Sequence, residues 1–236
     1  MQLLQFALAL VLTAGQQAPP AGFTALFNGR DLSGWRGRQQ DYSPYEEATL
    51  SKDALAAKQA AWNADRDQHW RVDTDAHEIV SDGHGVFLAT DKDYGDFELY
   101  LDWKIVAHNG DSGVYLRGFP QAQIWDPDNP VEVKNGAPKG SGGLWNDNPD
   151  NPGRWPIVKA DNPIGQWNTF RIRMAGNRVW IWLNGQQTVD GQTLDNFFDR
   201  AKPVLPAGPI ELQTHGSEIR FRNVYVREIR GSGQRP

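Results

Sequence analysis

The sequence predicts an all-β sandwich or jelly roll with one inserted helix. Three observations point there. Apolar residues recur at every second position in several short runs, Gly- and Asn-containing turns separate those runs, and no alternation of strands with helices is visible. A chain of 236 residues fits one domain of the larger all-β kind, or at most two small ones.

At the start, residues 2–14 (QLLQFALALVLTA) form an apolar run. It is shorter than the ~20 residues a membrane span needs. It fits the apolar core of a secretory signal peptide, with Thr13 and Gly15 as the small residues before a cut after Gly15, although no Lys or Arg precedes it. The expectation is a signal peptide over 1–15, a linker over 16–22, a domain over 23–230, and a periplasmic or extracellular address. A buried N-terminal strand or helix is the alternative. No Cys follows the run, so a lipoprotein anchor is not expected, and no other segment is apolar enough to cross a membrane.

Residues 46–66 (EEATLSKDALAAKQAAWNADR) are rich in helix formers. Ser51 is placed to cap a helix whose Leu55, Lys58, Gln59 and Trp62 share one side. The helix is expected to border a ligand groove. After it the pattern turns to strands. In 95–106, Phe97, Leu99, Leu101, Trp103 and Ile105 alternate with polar residues, and the same period recurs in 170–174 and 179–183. Val224, Val226 and Ile229 break the period by one position, which marks a bulge or a strand end. Short strands are expected at 69–73, 77–81, 85–89, 112–117, 121–125 and 209–214. Ser81-Asp82-Gly83, Ala175-Gly176-Asn177 and Asn184-Gly185 read as turns, the last as a type I′ hairpin. Residues 126–166 are dense in Pro, Gly, Asn and Asp, and a connection that long is usually functional.

Composition removes several function classes. Acidic residues number 29 and basic residues 24, a formal charge of −5, so nothing suggests a nucleic-acid face. There is no cysteine, hence no disulfide framework, Cys-bound zinc or thiol nucleophile. The ten tryptophans exceed what a core of this size needs.

Alternation nominates a groove. In 112–118, Val114 and Leu116 face a core while Gly113, Tyr115 and Arg117 face the other way. In 121–126, Gln121, Gln123 and Trp125 share a face, and an amide beside an indole suits a sugar. In 209–215, Ile210, Leu212 and Thr214 take the core, leaving Glu211, Gln213 and His215 outward. Gly140–Asn146 (GSGGLWN) lacks the Lys-Ser/Thr ending of a phosphate loop, and its glycines suit a sharp turn or a close approach to a ligand. It carries Trp145. Asp91, Asp93 and Asp96, with Asp126 and Asp128, raise the option of a divalent cation such as calcium, but match no EF-hand. No cofactor is otherwise implied. No carboxylate pair of the glycosidase kind, no Gly-x-Ser-x-Gly elbow and no His-Glu-x-x-His occurs.

The stretches LFNGRDLSGW (26–35), YGDFELYLDWKI (94–105), SGVYLRG (112–118), IGQWNTFRIRMAGNRVWIWLNGQ (164–186) and GPIELQTHGSEIRFRNVYVREI (208–229) resemble the bacterial 3-keto-disaccharide hydrolase family. The resemblance implies a concanavalin A-like lectin/glucanase jelly-roll sandwich, a small carbohydrate as substrate, and cleavage of glycosides already oxidised to a ketone at C3. Such a ketone makes the C2 proton acidic, so a base can form an enolate and the C1 substituent can leave. That route needs no carboxylate nucleophile. On this view His215 is the base and Arg117 the oxyanion stabiliser. Gln123 and Asp126 orient hydroxyls or a cation, Trp125 and Trp145 stack the ring, and Tyr115 and Gln213 line the groove. Two features depart from the family pattern: Gln121 stands where many members carry an acid, and the 46–66 insert is extra. The competing function is a non-catalytic, lectin-like carbohydrate-binding module.

Overall fold

The computed structural model describes residues 17–229; the expected signal peptide over 1–15 lies outside them. In chain order the elements are β1 (Thr24–Ala25), β2 (Trp35–Arg38), α1 (Pro44–Glu47), α2 (Lys52–His69), β3 (Trp70–Asp73), β4 (Glu78–Ser81), β5 (Phe87–Thr90) and β6 (Phe97–Ile105). Then follow β7 (Asp111–Leu116), β8 (Phe119–Trp125), β9 (Asn168–Ala175), β10 (Arg178–Leu183), β11 (Gln186–Thr193), β12 (Glu211–Leu212) and β13 (Ile219–Glu228). Three single 3₁₀ turns punctuate the connection between β8 and β9. The strands form two antiparallel sheets. The large one runs β11-β10-β9-β6-β13-β4-β3 with β1 added beside β13, and the small one runs β2-β5-β12-β7-β8. The all-β sandwich with an inserted helix is therefore borne out.

The period-two pattern builds the interface between the sheets. Phe97, Leu99, Leu101, Trp103 and Ile105 of β6 are all buried, as are Phe170, Ile172 and Met174 of β9. From the small sheet, Leu88, Val114, Leu116, Ala122, Ile124, Ile210 and Leu212 meet them in one apolar cluster. Burying a side chain of this size contributes about 1.5–3 kcal/mol. The turns behave as their residues require. Asn184 and Gly185 both adopt positive φ (51° and 80°), the geometry of a type I′ hairpin. β13 carries a bulge between Arg222 and Tyr225, with Asn223 at φ 51°. Ile229 lies past the end of the strand, which accounts for its broken phase. The expected strand over 209–214 shrinks to two ladder residues, although the chain stays paired beyond them through Gln213 N to Gly113 O at 2.9 Å.

Two corrections concern the insert. The single helix expected over 46–66 is a short turn, Pro44–Glu47, followed by α2, which runs to His69. Ser51 caps α2 by accepting from Ala54 N at 3.2 Å. The helix contributes no residue to the cavity over β7, β8 and β12; its Leu55 borders a separate cavity with Arg38 and Arg117. α2 covers the free edge of the small sheet. Asn63 Oδ1 accepts from Gly37 N at 2.9 Å, Gln59 Nε2 donates to Gly37 O at 2.8 Å, and Arg66 donates to Trp35 O at 2.6 Å. These side chains satisfy the main-chain groups of β2 that no further strand pairs. Gly37 is required there, because a Cβ would stand 2.1 Å from Trp62 O.

The opposite edge of the small sheet is covered by the Gly-rich loop. Gly142 N donates to Gln123 O at 2.8 Å and Gln123 N to Gly143 O at 2.9 Å. Gly142 adopts φ +87° and packs against Thr188. The glycines thus serve close approach to a strand and to neighbouring loops. With both edges closed, the outer face of the small sheet remains, its polar side chains largely buried under loops.

Candidate functional site

The outward residues of β7, β8 and the β12 segment converge because adjacent strands are in register. Asp111 opposes Trp125, Gly113 opposes Gln123, and Tyr115 opposes Glu211. A cavity of about 280 Å³ opens over them. Its floor is Asp111, Tyr115, Gln121, Gln123 and Trp125, and Gln213 and His215 lie along one side. Gln40 and Asp41 from the β2–α1 loop and Glu132, Asn135, Trp145 and Asn146 from the β8–β9 connection complete the wall. Gly113 has to be small, since a Cβ there would lie 2.7 Å from the Gln121 side chain that crosses it.

A chain of hydrogen bonds wires the floor. Gln121 Nε2 donates to Gln123 Oε1 at 2.6 Å, and Gln123 Nε2 donates to Asp111 Oδ1 at 2.7 Å. Gln123 Nε2 also faces the main-chain oxygens of Ser112 and Ile124, each at 3.1 Å. His215 Nδ1 stands 3.5 Å from Asp111 Oδ2. Burial pushes the Asp111 carboxyl up from 3.8 to about 6, while His215 pulls it down, Glu132 pushes it up, and the Gln123 hydrogen bond pulls it down. Tyr115 donates its hydroxyl to Asp41 Oδ1 at 2.6 Å. Burial, then the Asp41 charge, holds the Tyr115 phenol well above its usual range. Trp125 is pinned by Nε1 donating to Gly140 O at 2.8 Å, and Trp145 by Nε1 donating to Asn135 O at 2.7 Å. The two indoles meet edge to face, 6.1 Å between centroids.

Among the described residues, Gln121 Oε1, Asn146 Oδ1 and Gln213 Oε1, all on residues that border the cavity, are buried and have no hydrogen-bond partner. A buried acceptor left unpaired costs about 1–3 kcal/mol. Three on residues around one cavity set this region apart from a fully satisfied surface.

Of the residues nominated from sequence, Tyr115, Gln123, Trp125, Trp145, Gln213 and His215 come together here. Arg117 does not. β7 ends at Leu116, and Arg117-Gly118 form a two-residue turn with φ 59° and 72°, so strand alternation no longer governs Arg117. Its guanidinium is buried elsewhere, donating to Gly95 O (2.8 Å), Leu205 O (3.2 Å) and Asp96 Oδ1 (2.8 Å). Asp126 is also outside the cavity. It lies one residue past β8 and caps the following turn, accepting from Asn109 N and Asp128 N, each at 2.9 Å, with His108 Nδ1 at 3.0 Å. The acidic residues considered for calcium do not converge: Asp96 holds Arg117 and Gly176 N, and among the described residues no group of three or more His, Asp or Glu is placed to hold a metal ion.

Sequence reasoning missed Asp111, Gln40, Asp41, Glu132, Asn135 and Asn146, and gave Gln121 no role in the chemistry. Asp111 was within reach, since it is in phase with Gly113 and Tyr115 and needed only a strand starting one residue earlier.

A family model described as a 3-keto-alpha-glucoside-1,2-lyase-like domain matches residues 22–227. A Bacteroides thetaiotaomicron protein named 3-keto-disaccharide hydrolase is 22% identical over 251 residues, covering 88% of this chain and 79% of that one. The crystal structure of a candidate glycosyl hydrolase from Parabacteroides distasonis has TM-score 0.61 and 24% identity, over 89% of this chain and 94% of that one. A second from the same organism has TM-score 0.59 and 21% identity, over 88% and 99%. At these identities the two structures speak for the shared sandwich.

Proposed function

This chain belongs to the 3-keto-alpha-glucoside-1,2-lyase-like family, and from that premise we propose that it cleaves 3-keto-glycosides in the cavity over the small sheet. The observation that carries the reading is the Asp111–His215 pair, 3.5 Å apart, at the edge of a cavity floored by carboxamides and walled by two indoles.

Asp111 faces Nδ1 of the imidazole, which favours the tautomer protonated there and leaves Nε2 as the basic nitrogen. His215 Nε2 takes the C2 proton of a sugar whose C3 is a ketone. The C–H electron pair becomes the C2–C3 double bond of an enolate, with the negative charge on the C3 oxygen. As the ketone re-forms, the pair moves into a C1–C2 double bond and the C1–O bond breaks. The imidazolium returns the proton to the departing oxygen. Water then adds across the C1–C2 double bond, so the sum is hydrolysis. The developing C3 oxyanion needs donors, and since Arg117 is elsewhere, that role passes to the carboxamide N–H groups of Gln213 and Asn146. Trp145 and Trp125 offer apolar walls to the ring. Export from the cytoplasm, suggested by residues 2–14, is part of the same proposal.

The test is to incubate the purified protein with a 3-keto-disaccharide and with its unoxidised parent. Release of monosaccharide from the oxidised sugar alone supports the reading. Inertness toward both sinks it, and binding without product would favour the lectin-like alternative.

A further inference from the structure

We propose that the cavity sorts glycosides by charge: it accepts neutral sugars, accepts amine-bearing sugars more tightly, and turns away uronates and phosphorylated sugars, with Gln121 as a specificity-determining residue. The inference rests on the reading above that this cavity is the sugar site.

The first ground is a fixed direction of hydrogen bonding. An amide can be turned end for end, but Gln123 cannot. Its nitrogen faces only acceptors: Asp111 Oδ1, Ser112 O and Ile124 O. Its oxygen must therefore face Gln121, and Gln121 must answer with its nitrogen, at 2.6 Å. That leaves Gln121 Oε1 as the end without a partner in a side chain only 4% exposed. The site asks for a donor at that point. Gln213, 8% exposed, and Asn146 each present a second and third unpartnered oxygen.

The second ground is charge. Among the described residues, Asp41, Asp111 and Glu132 line the cavity, and no lysine or arginine does. Two of these carboxylates have one oxygen occupied, Asp41 by the Tyr115 hydroxyl and Glu132 by Asn135 Nδ2 at 2.6 Å. Nearby guanidinium groups are committed: Arg38 bonds Glu211 at 2.6 Å and Glu47 at 2.9 Å, and Arg154 lies over the Trp145 ring at 5.2 Å. Among the described lining residues, His215 carries the one basic side chain. A sugar hydroxyl brings a donor to each orphaned oxygen. An ammonium brings three donors and a compensating charge. A uronate carboxylate or a phosphate places a permanent negative charge beside three carboxylates, which repel it at close range.

The test is calorimetric binding of three unreactive probes at pH 7.5: methyl α-glucoside, methyl α-glucosaminide and methyl α-glucuronide. The glucuronide is expected to bind at least ~10-fold more weakly than the glucoside, and the glucosaminide at least as tightly as the glucoside. Gln121→Lys should raise glucuronide affinity and lower glucosaminide affinity. Glu132→Gln, at the wall, should move both in the same directions and guards against a Gln121→Lys protein that fails to fold. Turnover of a 3-keto-disaccharide is measured on the same preparation. Equal affinity for glucoside and glucuronide overturns charge sorting and, with turnover present, leaves the proposed reaction standing. The expected ranking without turnover sinks the reaction and keeps the sorting. Absence of binding by all three probes overturns the sorting, and turnover alone then decides the reaction.

Discussion

On the outer face of the large sheet, Arg227 meets Glu98 at 2.6 Å, Arg220 meets Glu78 at 2.9 Å and Arg222 meets Asp102 at 3.3 Å. Arg171 and Arg173 lie over Trp182 and Trp180 at 4.8 and 5.6 Å. On the outer face of the small sheet the polar groups are more deeply buried. There Gln121, Gln213 and Asn146 keep unpaired oxygens, and a carboxyl is raised to about 6. Both faces alternate polar side chains over the same core and both carry tryptophan. The large face pairs most of its buried charges internally, although among the described residues Arg171 Nε has no partner. The small face and the loop beside it hold three unpaired buried acceptors and an acid–imidazole pair around one cavity. Unmet hydrogen-bonding capacity, more than residue type, sets the two faces apart.

The comparison can be broken most severely at His215. His215→Ala should cut turnover of a 3-keto-disaccharide by ~10²-fold or more. The melting temperature should hardly move, because the side chain is 53% exposed. Loss of stability with turnover intact would make the histidine structural. Next in size is Gln123→Leu, which strands Gln121 Nε2 and Asp111 Oδ1 together. It should cost about 1–3 kcal/mol in urea unfolding, and sugar affinity should fall with it.

A third test uses the carboxyl of Asp147, next to Asn146 in the cavity wall. Burial pushes it from 3.8 to about 8. Its folded pKa is raised, so its contribution to stability is complete below 3.8 and is lost as pH rises through about 8. Thermal melts should therefore show wild type losing stability between pH 4.5 and 8 relative to Asp147→Asn. Parallel curves would contradict the burial argument. The smallest effect is expected on the other sheet. Arg173→Ala, on a solvated face, should change stability by no more than ~0.5 kcal/mol and leave turnover and sugar affinity unchanged.

Much of this contrast was legible in the amino-acid sequence, because period two reports which face a strand buries. Phe97 to Ile105, Val114 with Leu116, and Ile210 with Leu212 lie in the core as alternation requires. The same rule put Tyr115, Gln123, Gln213 and His215 outward. It failed where a strand had already ended, at Arg117 in a turn, and it never supported Asp126, which the resemblance nominated and which lies past β8. β11 was not legible either: QQTVDGQT offers Val189 as its one large apolar residue and pairs with β10 through shifted registers. Gln40, Asp41, Glu132 and Asn146 reach the cavity from loops, where no period operates and position is set by distant contacts. Arg200 holding Asn146 O and Tyr115 holding Asp41 are such contacts.

The central claim is that the small-sheet cavity removes a C2 proton through His215. Proton NMR of a 3-keto-disaccharide incubated with the protein in D₂O, beside an enzyme-free control, tests it most directly. The account predicts monosaccharide product carrying deuterium at C2, formed by wild type and not by His215→Ala. Product that keeps its C2 hydrogen would show that the glycosidic bond breaks without an enolate, and would contradict the account.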